Sequence, residues 1–195
     1  MAYKPILFNT EMVKAILEGR KTQTRRLCKW HSERSPLQCG YHPPYKYGDI
    51  LWVRETHFKD AGRYMYFANY AKDEKFYRDG QEVKIRWVPS IHMPKEAARI
   101  FLRVKTVRVE RLNDIGNADA IFEGCSGTPC EHEYADPALG CTDCLNTGWL
   151  EPPLAEFAQL WDTTIKPADI PEHGWDANPW VWVIEFERCK KPKEW

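Results

Sequence analysis

The hydrophobic positions of this 195-residue chain fall into short runs and alternations more often than into helical stripes. Tyr3-Lys4-Pro5-Ile6-Leu7-Phe8 reads as a first strand and Ile50-Leu51-Trp52-Val53-Arg54 as a buried one. Between Ile100 and Leu112, Leu102, Val104 and Thr106 alternate with charged Arg103 and Lys105, the two-residue period of a half-wet strand. Further strands are predicted at Tyr64–Ala68, Lys84–Val88 and Trp180–Arg188. The last sets Trp180, Trp182, Ile184 and Phe186 against Val181, Val183, Glu185 and Glu187 on the opposite face. Helical spacing occurs in Met12, Val13, Ile16 and Leu17, after a capping Asn9 or Thr10 and before the stop at Gly19. It recurs at Ala118–Glu123, ending at Gly124, and in a helix opening at Pro152-Pro153 with Leu154, Phe157, Leu160 and Trp161 on one stripe. Residues 29–48 read as an irregular connection, and Arg20–Arg26 as a loop leaving the first helix. Many strands with few helices predict a barrel-like sheet.

A chain of this length suits one core with an embellishment, so residues 1–195 are expected to form a single domain. The longest apolar run, Trp180–Ile184, is far short of the roughly 20 residues of a membrane span, and the N-terminus lacks the apolar block of a secretory signal. A soluble, cytosolic protein with no membrane partner is expected. The formal net charge of zero hides a segregation: residues 1–112 hold 23 Lys and Arg against 12 Asp and Glu, whereas residues 113–176 hold one Lys against 13 acids. Either one face attracts phosphates, or two complementary surfaces dock together.

Four of the seven cysteines crowd into residues 125–149, a polar segment without periodicity. Cys125, Cys130, Cys141 and Cys144, the last two a Cys-x2-Cys knuckle, suit tetrahedral zinc, and a metal clip would hold an otherwise loose loop. The expectation is a structural zinc on those four thiolates, with His132 as a substitute for Cys125. Four protein ligands would leave no open position for catalysis. Cys28-x2-His31 with Cys39-x2-His42 has ligand-like spacing but reads more simply as packing, and Cys189 as an apolar filler.

Gly19-Arg20-Lys21-Thr22-Gln23-Thr24-Arg25, followed by Gly48-Asp49-Ile50-Leu51-Trp52-Val53-Arg54-Glu55-Thr56 and the terminal aromatic strand Asn178–Phe186, resembles the ASCH (activating signal cointegrator homology) domain family. Lys4–Phe8, Val53-Arg54-Glu55 and Ser90-Ile91-His92-Met93-Pro94 are similar to the ASCH-type proteins of bacteriophages and prophages. The resemblance covers roughly 1–26, 48–56, 85–124 and 153–188, and leaves 125–149 unexplained. It implies an α+β fold, a PUA-like mixed β-barrel with flanking helices, here carrying the cysteine-rich insertion. It also implies RNA, DNA or a modified nucleoside as partner, gripped by a basic loop. Arg20, Lys21, Arg25 and Arg26 are the candidates, with Arg54 at the end of its strand either meeting phosphate or orienting Glu123, or else forming a strand-edge ion pair with Glu55.

The same loop has a catalytic reading. A lysine whose pKa is lowered by burial or by neighbouring cations can deprotonate a hydroxyl three residues away. In the bacterial acetylcytidine amidohydrolases of the family, the resemblance assigns catalysis to the motif Lys and Thr and to a Glu on the helix after the long central strand, here Lys21, Thr24 and Glu123. Hydrolysis of an acylated nucleoside is thus the alternative to binding alone. Ribonuclease activity, or docking of the acidic 113–176 surface on a host protein, are further alternatives. Trp52, Trp87, Tyr64 and Tyr66 could stack a base but read first as core.

Overall fold

Asn9 closes the first turn of the first helix, its side-chain oxygen accepting the Met12 N–H at 2.8 Å. The chain leaves that helix through Gly19 at φ 80°, a left-handed conformation disfavoured for residues with a Cβ. In this computed structural model of the protein the described residues are 1–29, 34–130 and 148–193. The first half gives β1 (Tyr3–Leu7), α1 (Thr10–Leu17), β2 (Gln23–Leu27), β3 (Ile50–Arg54), β4 (His57–Asp60), β5 (Arg63–Tyr66), β6 (Phe76–Arg78) and β7 (Gln81–Val83). The second half gives β8 (Phe101–Arg111), α2 (Asn117–Phe122), β9 (Thr128–Pro129), β10 (Trp149–Glu151), α3 (Pro153–Thr164), α4 (Ile170–His173) and β11 (Trp180–Cys189).

Five strands share one mixed sheet in the order β1-β3-β8-β11-β2. β1 runs parallel to β3, from Tyr3↔Ile50 to Leu7↔Arg54, and β3 runs antiparallel to β8 through Ile50↔Arg103, Leu51↔Leu102 and Trp52↔Phe101. β1 and β2 are the outer strands, so among the described residues the fold is α+β with an open sheet rather than the expected closed barrel. Pro5 suits that outer position, since it has no N–H to give a further neighbour. Two strands expected to extend the sheet also fail to join it. β5 is the second arm of a hairpin with β4, and Lys84–Val88 contributes a single bridge, His57↔Val88. The hairpin β6–β7 turns at Asp79-Gly80, a signal the sequence analysis passed over because its strands are mostly polar.

The chain divides into two compact units, Met1–Gly19, Tyr45–Thr106 and Glu185–Trp195 forming one, and Arg20–Pro44 and Val107–Ile184 the other. The core of the first gathers Ile50, Trp52, Met93, Ala97, Ala98 and Phe101, with Tyr3, Tyr64 and Tyr66 packed against them. Beside it Glu55, 1% exposed, receives both Nε and Nη2 of Arg99 at 2.8 Å, and the Arg99 guanidinium lies 4.0 Å over the Tyr66 ring. This replaces the expected Arg54–Glu55 pair, because neighbours in an extended chain point to opposite sides.

The core of the second unit gathers Leu112, Ile115, Ala120, Cys125, Phe157, Trp161, Val181 and Val183. Phe157 and Trp161, four residues apart on α3, supply its aromatic wall, as their helical spacing requires. The cysteine-rich segment is pinned where it enters and leaves. Ser126 and Gly127 donate their N–H groups to Glu156 Oε2 at 2.9 and 2.8 Å, and β9 pairs antiparallel with β10 through Trp149↔Pro129 and Glu151↔Thr128. At Gly127, φ is 64°, and a Cβ would lie 2.7 Å from the Glu151 carbonyl oxygen, so no other residue fits without displacing that backbone. Among the described residues no helix is long and apolar enough to cross a membrane.

Candidate functional site

The segment Arg20–Arg26, expected to be a loop, becomes β2 from Gln23 onward. Its charged residues mask the strand pattern, but most of that charge is paired within the second unit. The segment caps the C-terminal end of α2, whose last carbonyls have no partner inside the helix. The Thr22 N–H donates to the Phe122 carbonyl at 2.9 Å, Arg20 Nη1 to Gly124 at 2.8 Å, Gln23 Nε2 to Asp119 at 2.8 Å, and Lys21 Nζ to Glu123 at 2.6 Å. Cations at this end of a helix also meet the negative end of its dipole. Gly124, at φ 97°, makes the arrangement possible. Its left-handed turn sends its own N–H back to the Ile121 carbonyl at 2.8 Å and that of Cys125 back to Ala120 at 3.1 Å, which ends the helix just after Glu123.

Glu123 itself is 3% exposed and its carboxylate is divided between two cations. Oε2 accepts from Lys21 Nζ at 2.8 Å and Oε1 from Arg25 Nη1 at 3.1 Å. Arg25 extends the cluster outward through Nη2 to Glu110 Oε1 at 2.5 Å and to Asp119 Oδ2 at 3.5 Å. Arg108 completes it, with Nε 3.1 Å from Glu110 Oε2. Three cations and three carboxylates therefore balance, and Lys21, Arg25 and Glu123 at its centre are shut off from water. Burial pushes the Lys21 amine below its usual value of 10.5; the Glu123 carboxylate opposes that shift without cancelling it, and the charge of Arg26 adds to it.

The predicted residues thus separate. Lys21 and Glu123 are brought into contact, and Arg20, Lys21 and Arg25 are engaged with α2. Thr24 is equally buried, but strand alternation sends its side chain to the face of β2 opposite Gln23 and Arg25. Arg54 belongs to the other unit, where its Nη2 donates to the Ile91 carbonyl, its guanidinium lies 5.7 Å over the Trp52 ring, and its buried Nε has no hydrogen-bond partner. Glu110, Asp119 and Arg108 were missed as partners of the motif. Glu110 lies in the alternating run of β8, where a half-buried carboxylate looks like any solvent-facing residue.

Beside the cluster, the second unit carries an open cleft of ≈ 320 Å³. Arg26, the neighbour of the buried Arg25, lines it together with Lys166, His173 and one carboxylate, Asp169. Leu27, Ile165 and Trp161 give it an apolar wall. Trp161 is held by the core and by its Nε1, which donates to the His173 carbonyl at 2.9 Å. Lys166 is the one lysine of the acidic stretch 113–176, a position that local pattern does not mark as part of a site.

Of the expected zinc ligands, Cys141 and Cys144, like His132, lie outside the described residues. Cys130 is half-buried, and Cys125 packs in the apolar core, where burial pushes its thiol up to about 12. A metal would have to displace that proton, since thiolate is the ligand form. No set of three or more His, Cys, Asp or Glu side chains placed to hold a metal occurs among the described residues. Cys28 is buried with its thiol pushed up to about 11, while His31 and the Cys39 side chain lie outside the described residues.

No family model and no curated protein matches the sequence. A solved structure, the crystal structure of an ASCH domain from Lactobacillus crispatus JV V101, is similar over 97% of this chain and 81% of its own, at 13% identity and a TM-score of 0.39.

Two outcomes test the cluster. Glu123→Leu should cost about 3–5 kcal/mol in urea unfolding, because two buried cations lose their central partner. The double change Lys21→Met with Glu123→Leu should cost less than that single one, since Arg25 keeps Glu110; a Glu123→Leu protein of unchanged stability would mean the cluster is not desolvated. The pH dependence has a defined sign. Between the lowered Lys21 value and 10.5 the unfolded chain binds a proton that the folded one has released, so stability gains from rising pH across that window and the contribution is flat below it. Lys21→Met should remove that gain, measured as the difference in unfolding free energy between the two proteins from neutral pH to pH 10.5.

Proposed function

We propose that the chain belongs to the ASCH family and binds a nucleic acid or a modified nucleoside through the second unit, at the cleft beside β2. The observation that carries the binding reading is the cleft itself: Arg25 on its wall is committed to a balanced ion cluster, whereas its neighbour Arg26 lines it together with Lys166 and His173. On this reading Lys21, Arg25 and Glu123 hold β2 against α2, and Arg26 meets the ligand. The motif resemblance supports the ligand class. A cleft of ≈ 320 Å³ falls at the lower end of the range for small-molecule sites, about 300–1,000 Å³, which suits a single base or nucleoside.

A second reading is favoured by one contact. The lowered pKa of Lys21 and its 2.8 Å approach to Glu123 are features of an amine prepared for proton transfer, as amide hydrolysis on an acylated nucleoside requires. In that reaction Lys21 would deprotonate the Thr24 hydroxyl, which attacks the acyl carbon; Glu123 would serve the departing amine, which takes the proton, and water would then cleave the acyl–Thr24 ester to release the acid and restore the hydroxyl. The strand face on which Thr24 lies makes the binding reading the stronger.

Fluorescence anisotropy with short RNA and DNA, and calorimetry with nucleosides, test the first reading. Arg26→Gln should weaken binding about tenfold, the effect of one charge-assisted hydrogen bond, and lower the salt slope by about one. Absence of binding to any of these ligands would sink it. Release of acetate from acetylcytidine, lost in a folded Thr24→Ala protein, would decide for hydrolysis.

A further inference from the structure

The cleft beside β2 has a polarity of its own, which the binding reading leaves unused. Its charged side chains come from separate elements: Arg26 from β2, Lys166 from the turn after α3, and His173 from the end of α4. Arg25, which also lines it, is already neutralised by Glu110 and Glu123. Arg26 and Lys166 line it with a single carboxylate, Asp169, and with the His173 imidazole. Lys166 and Asp169 are exposed residues joined by a tight turn, the Asp169 N–H donating to the Lys166 carbonyl at 2.8 Å, and both line the cleft. The remaining lining, Leu27, Trp161, Thr164 and Ile165, has no charge.

From this arrangement we infer that the cleft takes one phosphorylated nucleoside, its phosphate between Arg26 and Lys166, its sugar hydroxyls donating to Asp169, and its base along Leu27 and Ile165. The inference rests on the binding reading above and narrows its ligand from nucleoside to nucleotide. Three properties of the site match three parts of that ligand. Two cations from different elements suit a phosphate, whose oxygens accept from several donors at once. A lone carboxylate beside them repels a second phosphate but accepts hydroxyl protons. An apolar strip suits the face or edge of a base, and ≈ 320 Å³ leaves little room for a second nucleotide unit. The ligand is either a free mononucleotide or the phosphorylated end of a chain, since both present the same unit.

Calorimetry on the whole chain with cytidine, cytidine monophosphate, inorganic phosphate and a trinucleotide with and without a 5′-phosphate separates the outcomes. The phosphorylated ligands are expected to bind at least about tenfold tighter than their unphosphorylated counterparts, with inorganic phosphate weaker than the mononucleotide. Lys166→Gln, a change at an exposed side chain that leaves the core intact, should reduce that preference to about threefold or less, and Asp169→Asn should raise the affinity for inorganic phosphate. A mononucleotide that binds tighter than the phosphorylated trinucleotide marks a free ligand; the reverse order marks a chain end. Cytidine and unphosphorylated trinucleotide binding as tightly as their phosphorylated forms, or an unchanged preference in Lys166→Gln, would overturn this inference while leaving the binding reading in place. Failure of every ligand to bind would overturn both.

Discussion

Glu123 is a carboxylate that cannot reach water, and the second unit is organised around keeping it paired. An isolated charge at such a position would be too costly to retain, so each oxygen has a cation of its own, and Arg25 has carboxylates on its far side in turn. The requirement reaches into the backbone. Gly124 ends α2 just where Lys21 and Arg20 can reach its terminal carbonyls, and β2 begins two residues after Lys21. A helix end, a strand start and a buried ion cluster thus have to form together. The packing of Phe157 closes the arrangement, its ring centroid 5.9 Å from the Arg25 guanidinium carbon.

Much of the framework was legible before any coordinates. The capped α1, the buried β3, the alternating β8, the aromatic β11 and the stripe of α3 all follow from one-dimensional patterns, because each buries an apolar face whose period matches its backbone. Gly19 and Gly124 were read correctly as helix stops. β2 was not legible, since Thr24-Arg25-Arg26 has no apolar alternation and Arg25 is inside only because its partners are carboxylates at positions 110, 119 and 123. Pairings that distant leave no trace in local composition. The expected barrel failed for a related reason: strand candidates can be counted along a chain, but Tyr64–Ala68 and Lys84–Val88 give no sign that their neighbours lie outside the main sheet.

The candidate site shows the same limit from another side. Lys21 and Glu123 were paired in advance through the family resemblance, and they do meet at 2.8 Å. What sequence could not give was the separation of a uniform basic motif into interior and surface members. The charge segregation along the chain is resolved in part within the second unit, where basic residues at 20–25 meet acids and carbonyls at 119–124. Arg25 and Arg26 both border the cleft, but Arg25 is 4% exposed and held by Glu110 and Glu123, whereas Arg26 is only half-buried.

The two ends of the cysteine-rich segment are tied to each other and to the first turn of α3 by Glu156, by the β9–β10 pair and by the close approach at Gly127. The clasp is thus a shared point of failure: a larger residue at Gly127 would push away the Glu151 carbonyl and Pro153, loosening β9, β10 and the start of α3 together.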